Sequence, residues 1–338
     1  MIKTAVIGLG KMGLSHVAIL GAHPDVDLVA VCDTSQIVLS AFKQYNPKIK
    51  VYEDFKKMYA IEQLDAVFVV TPTKVHHLMA KPAIEKGIHV FCEKPFSLTI
   101  DEGEELVALA EKHSVNNQVG FHNNFIGTFR ELKRLLKAEV FGDLFHFTGE
   151  AYGPVVTKSK GGTWRSKTSE GGGCLNDYSS HVVNLIQECI GRPVKVKGTL
   201  LKKFYSKEVE DGVFSSLVLS NGLSGSLSVN WSDETYRKMS TSLMVIGSKG
   251  KVICDATEIK IYLKEENKTE GLPKGWSVKY ITDLALPVNF YLRGEEYSAQ
   301  IDYFIENIIR GKVGEINTFE QALYTDKVSQ MLINDSKL

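Results

Sequence analysis

The chain has 338 residues, 43% hydrophobic and 24% charged, and its 40 basic residues balance 40 acidic ones. That composition excludes disordered and fibrous classes, and the even charge gives no ground for a nucleic-acid partner. Cys32, Cys92, Cys174, Cys189 and Cys254 are odd in number, widely separated and without a CxxC pair. They read as reduced thiols of a cytoplasmic protein, not as a disulfide framework or zinc site.

The opening MIKTAVIGLGKMG carries one lysine before a short apolar run that passes straight into glycines, which is a strand and not a signal peptide. No apolar stretch reaches the roughly 18 residues that would span a membrane, so no membrane partner is expected. Strands are predicted at 3–8, 26–33, 50–52, 64–70, 88–93 and 117–121, with helices between them that include 12–22, 75–86 and 100–113. Continuous apolar strands alternating with helices predict a doubly wound parallel sheet covered on both faces.

VIGLGKMGLSH (6–16) places Gly8, Gly10 and Gly13 at GxGxxG spacing, between a strand and a helix. Gly8 permits the tight turn, Gly10 lets the backbone approach a pyrophosphate, and Gly13 lets the helix pack closely. With Leu9, Lys11 and Met12 these residues form the expected phosphate loop, backed by the helix N-terminus. Asp33 closes the second strand, where an acid accepts hydrogen bonds from the adenine ribose and repels a 2′-phosphate. No arginine follows it in Thr34-Ser35-Gln36, so NAD is favoured over NADP.

The fourth strand runs into VVTPTKVHH (69–77), where Thr71 and Pro72 would line the cofactor's path. His76 is either a cofactor contact or a helix-start histidine. In FCEKPFSLT (91–99) an apolar strand ends at Glu93, Lys94 and Pro95, because proline cannot donate to a sheet ladder. A lysine at the end of a buried strand either snorkels to solvent or has a partner or a task. Acidic residues then crowd the start of the helix after Thr99, as the helix dipole favours.

Beyond residue 122 the pattern changes. A helix at 128–138 and a strand at 142–153 lead to a glycine-rich stretch and a helical segment at 179–191. Strands follow at 194–204, 212–220, 222–231, 240–248 and 250–255, with turn signals in SNG and SKG that predict an antiparallel sheet. Helices at 293–310 and 318–332 close the chain. The expected division is 1–122 and 123–338, with the C-terminal helices packing back on the first domain.

GLGKMG, TPTKVHH, EKP and GGGCLNDYSSH (171–181), in this order, resemble the Gfo/Idh/MocA oxidoreductase family. The resemblance implies an α/β chain: a Rossmann domain, then an α+β domain with a large, mostly antiparallel sheet. It implies that Lys94 faces the nicotinamide and the reacting hydroxyl, that Glu93 bonds near the nicotinamide ribose, and that Pro95 fixes the turn through a cis bond. Asp177 and His181 would face one site if their stretch is helical, and Gly171, Gly172 and Gly173 would let the chain approach the cofactor.

The implied activity is hydride transfer between NAD and a secondary hydroxyl of a sugar, cyclitol or sugar nucleotide. His181 is then the general base and Lys94 the group that stabilises charge on the same oxygen, although the two roles are interchangeable. Asp177 orients the substrate, and no metal is called for. Trp164 and Arg165 in GGTWRSK resemble a loop that reaches the cofactor, and His122 and Asn123 are expected at the substrate. Asn124 stands where many relatives carry arginine; with Tyr152, Lys158, Lys160 and Tyr178 it is a candidate for specificity. The resemblance further implies a homodimer or homotetramer through the second sheet.

Overall fold

A computed structural model describes residues 1–158 and 164–337, with the backbone alone of Trp164. Lys160 and the Trp164 side chain, both named above, therefore lie outside the described residues. The chain opens with β1 (Ile2–Ile7), α1 (Lys11–Ala22), β2 (Val26–Cys32), α2 (Gln36–Tyr45), β3 (Lys50–Tyr52) and α3 (Phe55–Ile61). It continues with β4 (Ala66–Val69), α4 (His76–Glu85), β5 (His89–Cys92), α5 (Ile100–His113) and β6 (Asn117–Val119). These six strands form one sheet in the order β3-β2-β1-β4-β5-β6, every pair parallel.

Local chemistry sets the element ends. At α5 the Thr99 side chain accepts from Glu102 N–H while the Glu102 carboxylate accepts from Thr99 N–H, which caps the helix reciprocally. Asp101 and Glu102 sit in its first turn and Lys112 and His113 in its last, each matched to the nearer end of the dipole.

The chain then builds α6 (Gly127–Lys137), β7 (Leu144–Tyr152), α7 (Ser180–Cys189), β8 (Pro193–Lys202), β9 (Gly212–Leu219), β10 (Ser224–Asn230) and β11 (Ser240–Gly247). After these come β12 (Gly250–Asp255), β13 (Glu258–Leu263), β14 (Gly275–Tyr280) and the short α8 (Ile281–Leu284). A second sheet runs β14-β13-β12-β11-β7-β10-β9-β8, antiparallel throughout except for the parallel pair β7 and β10. Strands β13 and β14 extend it beyond Asp255, where the sequence reading ends its strands. The chain closes with α9 (Glu295–Ile309) and α10 (Phe319–Asp335).

Two compact units result, one of Met1–His122 with Pro287–Leu323, the other of Asn123–Leu286 with Tyr324–Leu338. In the first, one face of the sheet packs Val6, Val31, Phe68 and Phe91 with Ile301, Phe304 and Ile305 of α9. The other face packs Val67, Val69, Val90 and Cys92 with Leu106 of α5 and with Phe319 and Leu323 of α10. In the second unit α7 lies close on the sheet: a Cβ on Gly149 would stand 2.7 Å from Val182 Cγ1 and 2.8 Å from Ile186 Cδ1, so only glycine permits that approach. All five cysteines carry free thiols, and among the described residues no helix is long and apolar enough to cross a membrane.

Candidate active site

In the first unit the sequence-predicted residues gather at the carboxyl ends of the parallel strands, where open α/β sheets bind ligands. The glycine loop follows β1, Asp33 follows β2, Thr71 follows β4, Glu93 and Lys94 follow β5, and His122 follows β6. The order reverses direction between β1 and β4, the topological switch point.

The glycines fit a dinucleotide. Gly8 has φ +96°, and a Cβ there would lie 2.4 Å from the Val70 carbonyl oxygen. A Cβ on Gly13 would lie 1.8 Å from the Gly8 oxygen, so the helix can start this close only without a side chain. Gly10 faces open space, with no atom within 4 Å of an added Cβ, which leaves the backbone open to a pyrophosphate. It caps α1 without a side-chain hydrogen bond, and no acid occupies the first turn, so the positive end of the helix is left for an anion. Asp33 Oδ2 accepts from Leu9 N–H at 2.7 Å and Oδ1 from Ser35 N–H at 2.8 Å, which ties the end of β2 to the loop.

Beside this loop, Glu93 occupies the end of β5 and the Lys94–Pro95 peptide is cis. His16 of α1, fully buried, contacts Glu93 Oε1 through Nε2 at 2.8 Å. Burial acts to raise the Glu93 pKa, but the His16 hydrogen bond and the nearby His16, Lys94 and His122 outweigh it, and the net shift is downward. His122 stacks on Tyr297 with centroids 4.6 Å apart; burial pushes the Tyr297 phenol up to about 12. Neither His16 nor Tyr297 was assigned a role from sequence. His16 lies within the glycine-loop motif, but its partner is 77 positions away.

His76 requires a correction. It is fully buried, with Nε2 at 2.8 Å from the Thr71 oxygen and Nδ1 at 3.2 Å from the Phe96 oxygen. A ring without exposed surface cannot touch a cofactor; it ties the loop after β4 to the segment after Pro95. Burial lowers its pKa against those hydrogen bonds, and a neutral ring has one N–H, which suits the shorter of the two contacts.

In the second unit, Leu175–Ser179 is a π-helix that leads into α7. Asp177 and His181 thus straddle a change of helix type instead of standing one α-turn apart, and widened turns of this kind recur at functional sites. Both are buried, with 4% and 2% of their surface exposed. Arg165 Nε donates to Asp177 Oδ2 at 3.0 Å, which brings two of the predicted residues together. Asn123 is buried and Asn124 Nδ2 donates to Asn184 Oδ1 at 2.7 Å.

Glu210, absent from the sequence reading, accepts from Leu175 N–H at 2.8 Å at the start of the π-helix. Gly173 has φ +107° and a Cβ there would fall 2.3 Å from Glu210 Oε1, so Glu210 accounts for a glycine here. Tyr178 is buried, and burial raises its pKa. Lys158 is exposed. Tyr152 sits on the open face of the sheet, its hydroxyl 2.8 Å from Ser228 Oγ, whereas the alternate residues Gly149 and Ala151 face inward and Gly149 meets α7.

A parallel sheet in this order, with a glycine loop at its switch point and an acid at the end of β2, defines a dinucleotide-binding domain. Residues 2–121 match the family described as oxidoreductase family, NAD-binding Rossmann fold. Residues 129–253 match the GFO/IDH/MocA C-terminal domain. The chain belongs to the Gfo/Idh/MocA oxidoreductase family, and its first domain is NAD-binding.

Among curated relatives, the uncharacterized oxidoreductase YrbE of Bacillus subtilis is 32% identical over 136 residues, 40% of this chain and 40% of that protein's length. The D-glucoside 3-dehydrogenase of Escherichia coli is 25% identical over 238 residues, 65% of this chain and 68% of that protein. The fold of a levoglucosan dehydrogenase solved with NADH is reproduced at a TM-score of 0.89, with 16% identity over 99% of this chain and 97% of that one.

Proposed function

We propose that this chain oxidises a secondary hydroxyl of a sugar, cyclitol or sugar nucleotide with NAD, or runs the reverse reduction. The observation that carries this reading is the placement of Lys94, after the partly buried Glu93 and before a cis proline, on the carboxyl edge of the sheet that also bears the glycine loop and Asp33. The names of the D-glucoside and levoglucosan dehydrogenases support a carbohydrate-type substrate. NAD, when bound, supplies the hydride acceptor at the nicotinamide ring.

His181 takes the hydroxyl proton and Lys94 donates a hydrogen bond to the same oxygen, which stabilises charge as it develops. Asp177, bonded to Arg165, orients the substrate. His122, Asn123 and Asn124 contribute to its recognition, and Thr71, Pro72, Glu93 and Arg165 complete the cofactor contacts. Two copies or four assemble through the open face of the second sheet.

The test is the absorbance of reduced nicotinamide with NAD against inositols, aldoses and UDP-sugars, with Lys94→Ala and His181→Ala alongside. Loss of a proton-transfer group lowers kcat by about 100- to 10,000-fold. Turnover that survives in both variants overturns the assignment of roles. Silence across the panel, with NADH still bound, replaces the dehydrogenase reading with that of an enzyme that retains its cofactor, or of a non-catalytic dinucleotide or sugar sensor.

A further inference from the structure

We propose that His16 is a positioning residue: it holds the Glu93 carboxylate, and through it the nicotinamide-ribose end of the cofactor. The proposal rests on the reading of Glu93 as the ribose contact.

Packing alone does not call for a histidine at this position. The ring packs against Phe68 and Phe91, which stack on each other, with centroids 5.9 Å and 5.2 Å away, in a setting where phenylalanine or leucine would fill the space without a polar atom to satisfy. What the imidazole adds is one hydrogen bond, Nε2 to Glu93 Oε1 at 2.8 Å. An ionised carboxylate only accepts, so the proton of this bond sits on Nε2.

The carboxylate is confined elsewhere too. Oε2 accepts from Lys94 N–H at 3.2 Å. On another side stands Gly120, where an added Cβ would come within 3.0 Å of the carboxyl carbon and both oxygens. Glu93 N–H is itself bonded to the Val69 oxygen and Gly120 N–H to the Cys92 oxygen, both at 2.9 Å, so the frame on either side is sheet backbone. One oxygen is anchored to α1, the helix that starts at the pyrophosphate loop, while the other keeps lone-pair capacity for a hydroxyl. A single, partly buried contact therefore links the phosphate half of the site to the EKP loop.

The experiment measures the affinities of the 338-residue chain for NADH and for ADP, which lacks the nicotinamide ribose, by calorimetry. His16→Phe keeps the ring packing and removes the donor, and His16→Gln restores a donor. We expect His16→Phe to weaken NADH by about tenfold, the scale of one charged hydrogen bond, and ADP by less than about twofold. His16→Gln recovers most of that loss, and His16→Phe added to Glu93→Gln costs little more than Glu93→Gln alone.

Equal loss of NADH and ADP, or no loss of either, overturns the proposal. Glu93→Gln with unchanged NADH affinity overturns the ribose reading and this proposal together. A weakened Glu93→Gln beside an unaltered His16→Phe overturns only the role of His16. If His16→Phe does not fold, His16→Leu removes the donor with a smaller apolar side chain; the same selective loss of NADH supports the proposal, and its absence refutes it.

Discussion

Asp33 holds the glycine loop, and under the proposed reading of the site the same carboxylate also takes the adenine ribose. Its oxygens accept from Leu9 N–H and Ser35 N–H, and so fix the glycine loop against the end of β2. Each oxygen retains a lone pair, which we propose takes a ribose hydroxyl, while the charge would oppose a 2′-phosphate at the same place. Asp33→Asn keeps an acceptor for Leu9 and removes the charge. We expect its NADH affinity to fall several-fold and its preference for NADH over NADPH to shrink by about tenfold, the effect of losing one like-charge repulsion near the surface. Titration of both reduced cofactors checks this, and an undiminished preference would show that Asp33 does not set it. Both tasks differ in how they appear in sequence: the ribose role follows from the spacing to Gly13, whereas the bond to Leu9 depends on a loop path that spacing does not encode.

At the scale of elements, apolar runs located the parallel strands because strands buried on both faces carry little else. The last two strands, β13 and the edge strand β14, escaped because EIKIYL and GWSVKY each present only one apolar face, and KEENKTEGLPK between them reads as a charged loop. The π-helix before α7 was not legible either, because it is set by backbone bonding register and by Glu210, which lies 35 positions from Leu175. Glu210 is raised in pKa by burial, which the Leu175 N–H bond only partly offsets. This carboxylate is thus held where glycine alone fits at 173. Gly173→Ala meets both a positive φ and the 2.3 Å clash, and we expect it to cost about 2–4 kcal/mol of stability by denaturant titration. Adding Glu210→Ala should relieve the clash and recover part, but not all, of that loss, since the strained φ remains. Full recovery, or no loss in the single variant, would show that the glycine is not required here.

For the molecule as a whole, the second sheet has one face on a core of which Trp231, Leu243 and Val252 are wholly buried members, and an opposite face that carries apolar side chains into solvent. Tyr262 and Trp276 are directly paired across β13 and β14, their rings 5.3 Å apart, and Val278 and Tyr280 continue the same side of β14. All four are exposed. A contiguous apolar patch of this kind is uncommon on a monomer, and a self-complementary sheet face is suited to a two-fold interface. These residues contribute little to the fold of their own unit because water already surrounds them, so their replacement separates assembly from stability. We expect sedimentation velocity at micromolar concentration to give a dimer or tetramer. Trp276→Asp combined with Val278→Asp should shift it to monomer while the unfolding free energy of the subunit stays within about 1 kcal/mol of the parent. A parent chain that sediments as a monomer, or an oligomer indifferent to both charges, would place the assembly surface elsewhere.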